Sequence, residues 1–148
     1  MSAALDQARA AMVKDEVPVG AVVVVARSIV GAGFNQSRLT SDPTAHAEVV
    51  ALRQAGLTMS NYRLSSATLY VTVEPCLMCA GALVHARIST LVYGTVEPKT
   101  GAVVSTVRAL DGQALNHRVR SIGGILENES RALIQEFFKR RRDSGASD

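Results

Sequence analysis

The 148-residue chain has no tryptophan, two cysteines and only 4% aromatic residues. Two cysteines rule out a disulfide-built mini-protein. A chain of this length buries roughly 68–70% of its unfolded surface, so one core suffices without staples. Long apolar runs are also missing: the longest covers residues 21–26, far short of the roughly 20 residues that a membrane span requires. The first residues, MSAALDQARAAMVKDE, mix acids with bases and hold no apolar signal segment, so the sequence predicts neither export nor membrane attachment. Nor does one sign of charge dominate. Sixteen Lys and Arg stand against 13 Asp and Glu, a net charge of +3. A nucleic-acid partner is permitted by that balance and not required by it. Much of the surplus comes from the run at residues 139–142, and such a run is more often a solvated helix end than a binding patch. Disorder is excluded because 47% of the residues are hydrophobic, enough to build a core.

What is present alternates between helical and extended patterns. The length predicts one domain, residues 1–142, followed by a frayed tail at 143–148. Leu5, Ala8, Ala11 and Met12 recur at helical spacing. Residues 19–26 form a β-branched run without polar alternation, which suits a strand covered on both faces. A turn at Arg27-Ser28 and a strand at 29–34 complete a hairpin. Asp42 followed by Pro43 reads as a helix start, with the helix running from Thr44 to about Gln54 and stopping near Gly56. A strand is predicted at 68–73, a helix through Leu77, Ala80, Leu83 and Val84, and a short strand at 91–93. Weak strand signals follow near Val103 and at 119–122. A last helix at about 127–142 is predicted to bury Leu133, Ile134, Phe137 and Phe138. This order predicts an α/β fold, a three-layer α/β/α sandwich around a central mixed sheet.

Chemistry concentrates in two short motifs, His46-Ala47-Glu48 and Pro75-Cys76-Leu77-Met78-Cys79. Each opens a predicted helix. Two cysteines three apart share a helix face, and the positive end of the helix dipole favours thiolate. The absence of an export signal implies a reducing, cytoplasmic setting, where this spacing suggests metal or redox chemistry. Alone, the cysteine pair could be redox-active, and Glu48 could be an ordinary solvated glutamate. Together, one imidazole and two thiolates form a zinc ligand set that leaves a fourth position open, as catalytic sites do. Zinc acidifies a water there, and Glu48, directed away from the ligands, can move the protons that hydrolysis of a C–NH2 group requires.

With these motifs the chain resembles the zinc-dependent cytidine/deoxycytidylate deaminase superfamily, and within it the bacterial tRNA-specific adenosine deaminases. The resemblance rests on residues 16–21, 33–35, 42–48, 61–64, 67–72, 74–82, 99–102, 115–119 and 137–138. It implies a cytidine deaminase-like fold with a five-stranded sheet and one Zn2+ per subunit on His46, Cys76 and Cys79, with an activated water as fourth ligand. It also implies a Glu48 proton shuttle and a Cys76 backbone N–H that steadies the developing oxygen. Asn35, Val17 and Ala47 would meet the base, while Glu97, Lys99 and Asn116 would grip flanking nucleotides of a tRNA anticodon loop. The implied reaction is hydrolysis of adenosine to inosine at the wobble position, by a homodimer whose groove takes residues from both subunits. Three positions depart from the pattern: Glu97 stands where aspartate is expected, the Arg27-Ser28 turn lacks the usual Asp-Gly, and Ser130 replaces a frequent cysteine. Two other readings keep the zinc motif: a deaminase of a free base or nucleoside (cytosine, guanine or cytidine), and a non-catalytic zinc module that binds RNA.

Overall fold

A computed structural model describes residues 1–145. Four helices, α1 (Ser2–Val13), α2 (Ala47–Met59), α3 (Leu77–His85) and α4 (Glu127–Ser144), pack on one sheet. Its strands are β1 (Gly20–Val25), β2 (Ser28–Phe34), β3 (Thr68–Val73), β4 (Thr90–Thr95) and β5 (Arg120–Ile122). The spatial order is β2-β1-β3-β4-β5. β1 is antiparallel to both neighbours, whereas β3, β4 and β5 run parallel. The expected mixed five-stranded sheet with flanking helices is therefore what the chain forms.

Side-chain alternation along β1 assigns the layers. Ala21 and Val23 point into the main core, with Ala47, Ala51 and Ala55 of α2 and Leu83 of α3. Gly20 faces the opposite layer, where α1 lies so close that a Cβ would sit 2.0 Å from the Ala4 carbonyl oxygen. α4 packs beside α1 on that same side. Small residues set both seams. On β2, Gly31 and Gly33 bring α2 against the strand, and a Cβ at Gly33 would stand 2.7 Å from the Ala51 nitrogen.

Several boundaries differ from the sequence reading, each for a local reason. The hairpin turn is Ala26-Arg27, with Val25 paired to Ser28. Both turn residues have positive φ, +48° and +67°, as a two-residue hairpin turn of primed type demands. Asp42 does not cap α2; its Oδ1 accepts from the Thr44 N–H at 2.8 Å and the Thr44 hydroxyl at 2.7 Å. That local turn takes up Pro43 and Thr44 and leads into an extended His46, so the helix begins only at Ala47, with His46 as its cap. It passes Gly56 and ends at Ser60, whose left-handed backbone terminates it. Around Val103 there is no strand, only an isolated bridge between Cys76 and Gly101. The last helix continues through Asp143 and Ser144 to Gly145 in left-handed conformation; residues 146–148 of the expected tail lie outside the described residues. Among the described residues no helix is long and apolar enough to cross a membrane.

Strand direction explains where the functional residues meet. β2 and β3 both run antiparallel to β1, and β4 runs parallel to β3. The carboxyl ends of β2, β3 and β4 therefore share one edge of the sheet. The segments leaving them carry His46, Cys76 and Glu97 to that edge. Crevices at the carboxyl ends of strands are where open α/β sheets bind ligands.

Candidate active site

His46 is the cap residue of α2 and Cys76 that of α3, both with extended backbones. Neither is inside its helix, in contrast to the simple helical picture of the two motifs. Capping turns the two side chains towards each other across the sheet edge. The His46 Nδ1 lies 3.6 Å from the Cys76 Sγ and 3.5 Å from the Cys79 Sγ. Cys79, in the first turn of α3, is buried, and Cys76 is half-buried. All three donor atoms lie within 4.8 Å of one another.

This donor set fits zinc. Tetrahedral bonds of 2.0–2.1 Å to nitrogen and 2.3 Å to sulfur place those two ligands about 3.6 Å apart. Both nitrogen–sulfur separations match that value. That Nδ1 is the nitrogen facing the two sulfurs is set by the cap geometry, which no spacing rule supplies. Thiolate is favoured at this helix end: hydrogen bonds from the Cys79 thiol and His46 hold Cys76 down to about 4, against burial. The proton the sulfurs share, together with burial, holds Cys79 well above the usual thiol range.

A cavity of about 220 Å³ opens beside these side chains. Val17, Asn35, His46, Glu48, Glu74, Cys76, Glu97 and Thr100 line it, with Val19 and Val73. Glu48 is only 4% exposed. Burial pushes its carboxyl above the ordinary range, although His46 and a Cys79 hydrogen bond pull the other way. A carboxyl so placed is poised to exchange protons, as general acid–base groups are. Asn35 is fixed by its own N–H on the Val19 carbonyl at 3.1 Å. Its loop is anchored at Glu16, a buried carboxylate that accepts from the Leu39 N–H at 2.6 Å.

Residues 1–142 match the MafB19-like deaminase family. The tRNA-specific adenosine deaminase of Haemophilus influenzae is 47% identical over 144 residues, spanning 97% of this chain and 83% of its own. That of Agrobacterium fabrum is 42% identical, over 96% of this chain and 93% of its own. The chain belongs to the tRNA-specific adenosine deaminases. A solved structure from a study of A-to-I editing by tRNA:A34 deaminases at the wobble position superposes on this deaminase with a TM-score of 0.88. It is 43% identical, covering 90% of this chain and 96% of that one. A guanine deaminase from Nitrosomonas europaea shares the fold, with a TM-score of 0.79 at 24% identity.

Not every residue singled out in the sequence reaches the deaminase cavity. Ala47 is fully buried beneath it, against Gly33. Lys99 is exposed, and its N–H donates to the Glu97 Oε1 at 2.9 Å, so the longer glutamate folds back on its own loop. Asn116 lies at the far end of α3, where its Oδ1 accepts from Arg87 at 2.7 Å. Conversely, Glu74, Thr100, Ile134 and Phe138 line the cavity without a role assigned to them from sequence. Phe138 is not core; it is 41% exposed. The signal was present in α4. Leu133 and Phe137 form one i,i+4 stripe and Ile134 and Phe138 another; of the four expected core residues only Phe137 is buried, Leu133 and Ile134 being half-buried, and the second stripe faces the cavity.

Proposed function

We propose that this chain hydrolyses adenosine to inosine at the wobble position of a tRNA, releasing ammonia, in the cavity at the carboxyl edge of the sheet. One observation carries the reading. A buried carboxyl, Glu48, shares a 220 Å³ cavity with His46 and Cys76, whose nitrogen and sulfur cluster with the buried Cys79 sulfur at nitrogen–sulfur distances that suit tetrahedral zinc. His46 Nδ1, Cys76 Sγ and Cys79 Sγ would hold one Zn2+ per chain. Zinc so held supplies Lewis acidity, lowering the pKa of water from 15.7 towards about 7. Glu48 would take one proton from water and pass it to the ring nitrogen, then take the second from the hydroxyl formed at C6 and pass it to the amino group, which leaves as ammonia when the C–N bond breaks. The Cys76 N–H, at the N-terminus of α3, steadies negative charge growing on the oxygen at C6. Asn35 and Val17 hold the base. Glu97 and Lys99 border the path of the flanking nucleotides.

An anticodon loop suits a chain of net charge +3, because its bases are already unpaired and little unpairing energy has to be recovered. We assign the second face of the molecule to a partner copy. Behind the cavity, α2 and α3 present an apolar cleft of about 740 Å³ with Leu52, Leu57, Tyr62 and Ala82 along it. Leu57 is 83% exposed and Tyr62 73%, a patch that a second chain would cover. In a homodimer through this face, Asn116, remote from its own cavity, would serve the partner's groove. A cytoplasmic location follows from a tRNA substrate.

The test is to incubate zinc-loaded protein with total tRNA and, separately, with free nucleosides and bases. Inosine in tRNA alone, with binding that weakens steeply with salt as phosphate contacts require, is the expected result. Deaminated nucleosides or bases alone would replace the substrate, and no ammonia from any of them would leave a binding module.

A further inference from the structure

Three glutamates line the cavity, Glu48, Glu74 and Glu97, and the first two have opposite surroundings. Glu48 is buried beside the metal ligands, free to exchange a proton. Glu74, 3% exposed, is saturated. Its Oε1 accepts from the N–H groups of Val103 at 3.1 Å, Val104 at 2.8 Å and Ser105 at 2.9 Å. Its Oε2 accepts from the Glu97 N–H at 2.9 Å and the Ser105 hydroxyl at 2.5 Å. A carboxylate has about four lone-pair sites, so five donors leave nothing for a substrate or a mobile proton. None of the five donors is a cation; the charge is held by peptide dipoles, as an anion is held in a backbone nest.

All five come from residues 97–105, the segment that leaves β4 and brings Glu97 and Thr100 to the cavity wall. The wrap is tight. A Cβ on Gly101 would lie 2.3 Å from the Glu74 Oε2 and 2.5 Å from the Glu97 carbonyl oxygen. Within the wrap, the Gly101 N–H donates to the Glu97 carbonyl at 2.8 Å and the Thr106 hydroxyl to the Gly101 carbonyl at 2.6 Å. Without Glu74 this segment would have four inward N–H groups and no acceptor.

We propose that Glu74 is a positioning residue for the deamination. Its carboxylate clasps residues 97–105 into the wall of the substrate cavity, and the clasp sets how tightly substrate is held, not the rate of the chemical step. The inference rests on the deaminase reading above and deepens it. It divides the labour of the two acids, proton transfer to Glu48 and cavity shape to Glu74.

The experiment compares the zinc-loaded full chain with Glu74→Gln and Gly101→Ala, reading amide hydrogen exchange and steady-state kinetics on tRNA. Glutamine keeps one acceptor oxygen and sets an NH2 against the remaining donors; alanine at 101 opens the same clasp from the opposite side. Expected in each variant is exchange faster by roughly tenfold or more at residues 97 and 103–105, with the helices unchanged. KM should rise by roughly tenfold while kcat falls less than about threefold, with zinc content equal to wild type. The two changes together should do little more than either alone, because they break one contact set. Wild-type exchange in Glu74→Gln overturns the clasp. Loosened exchange with an unchanged KM overturns its role in affinity, and a collapse of kcat at constant KM would place Glu74 in proton transfer instead. If Glu74→Gln does not fold or loses zinc, Ser105→Ala decides. It removes one of the five donors, so a higher KM with faster exchange supports the clasp and wild-type values of both overturn it. Failure of the wild-type protein to act on tRNA is a separate outcome: it ends the substrate reading, while exchange still reports on the clasp.

Discussion

Gly33→Ala is the sharpest probe of how the sheet positions the catalytic helix. Gly33 lies in β2 opposite Ala21 of β1 and faces α2. A Cβ there would meet the Ala51 nitrogen at 2.7 Å, the Ala47 carbonyl oxygen at 2.8 Å and the Val50 Cβ at 2.8 Å. Ordinary contact begins at 3.4 Å, so the first turns of α2 must retreat by about 0.7 Å. The obstacle is helix backbone, which no rotamer change relieves. Overpacking of this kind costs about 1–3 kcal/mol, or a fall in Tm of roughly 3–10 °C for a chain of this size. The functional loss should be larger than the stability loss suggests. His46 precedes Ala47 directly, and metal sites tolerate only about ±0.2 Å in ligand distance. Weaker zinc retention and a kcat/KM lowered by roughly tenfold to a hundredfold are expected. Thermal unfolding, elemental analysis after dialysis and inosine formation measure the three effects. Gly56→Ala is the control: its Cβ would meet only the Asn61 carbonyl oxygen, at 3.6 Å, and helix propensity should raise stability by about 0.5–1 kcal/mol. Wild-type Tm, zinc content and activity in Gly33→Ala would refute the reasoning.

Cys79→Ser should lose zinc while the chain remains folded, because a hydroxyl replaces the buried thiolate; full occupancy by elemental analysis would count against the ligand set. Leu57→Asp should shift the protein to monomers in sedimentation, since it sets a charge in the exposed apolar cleft between α2 and α3; an unchanged dimer would move the interface elsewhere. Arg27→Gly should raise stability slightly, because Arg27 holds φ at +67°, a left-handed backbone that costs a non-glycine residue about 1–2 kcal/mol, more than the roughly 0.5–1 kcal/mol of extra chain entropy glycine brings. A lower Tm would contradict the turn geometry.

Much of the architecture was legible because hydrophobic periodicity and burial agree. The β3 strand, with its run of β-branched residues, has the predicted bounds, and the four helices sit where apolar spacing put them. What failed was local and polar. Asp42-Pro43 carries the grammar of a helix start, but the Asp42 side chain is consumed by Thr44, and the helix waits for His46. That shift matters for chemistry, since a capping histidine points across the sheet edge and a mid-helix one would not. The clustering of His46, Cys76 and Cys79, with Glu48 beside them, was readable from motif and spacing. Glu74 stood inside the resembling block 74–82, but its role was not legible, because its five donors are mostly main-chain N–H groups 23 to 31 residues away. Asn116 shows the converse: similarity to a family motif marks it, yet its own fold holds it at the opposite end of α3.

The most direct measurement follows inosine, position by position, in a tRNA with adenosine at the wobble site, using zinc-loaded wild type and Glu48→Ala in parallel. The account predicts one inosine and one ammonia per tRNA for wild type, at that site alone. For Glu48→Ala it predicts equal zinc content and a rate lower by at least roughly 10²–10⁴-fold, the loss expected when a general acid–base group is removed. Inosine formed by the variant at near wild-type rate, or at other adenosines with the wobble position untouched, would contradict it.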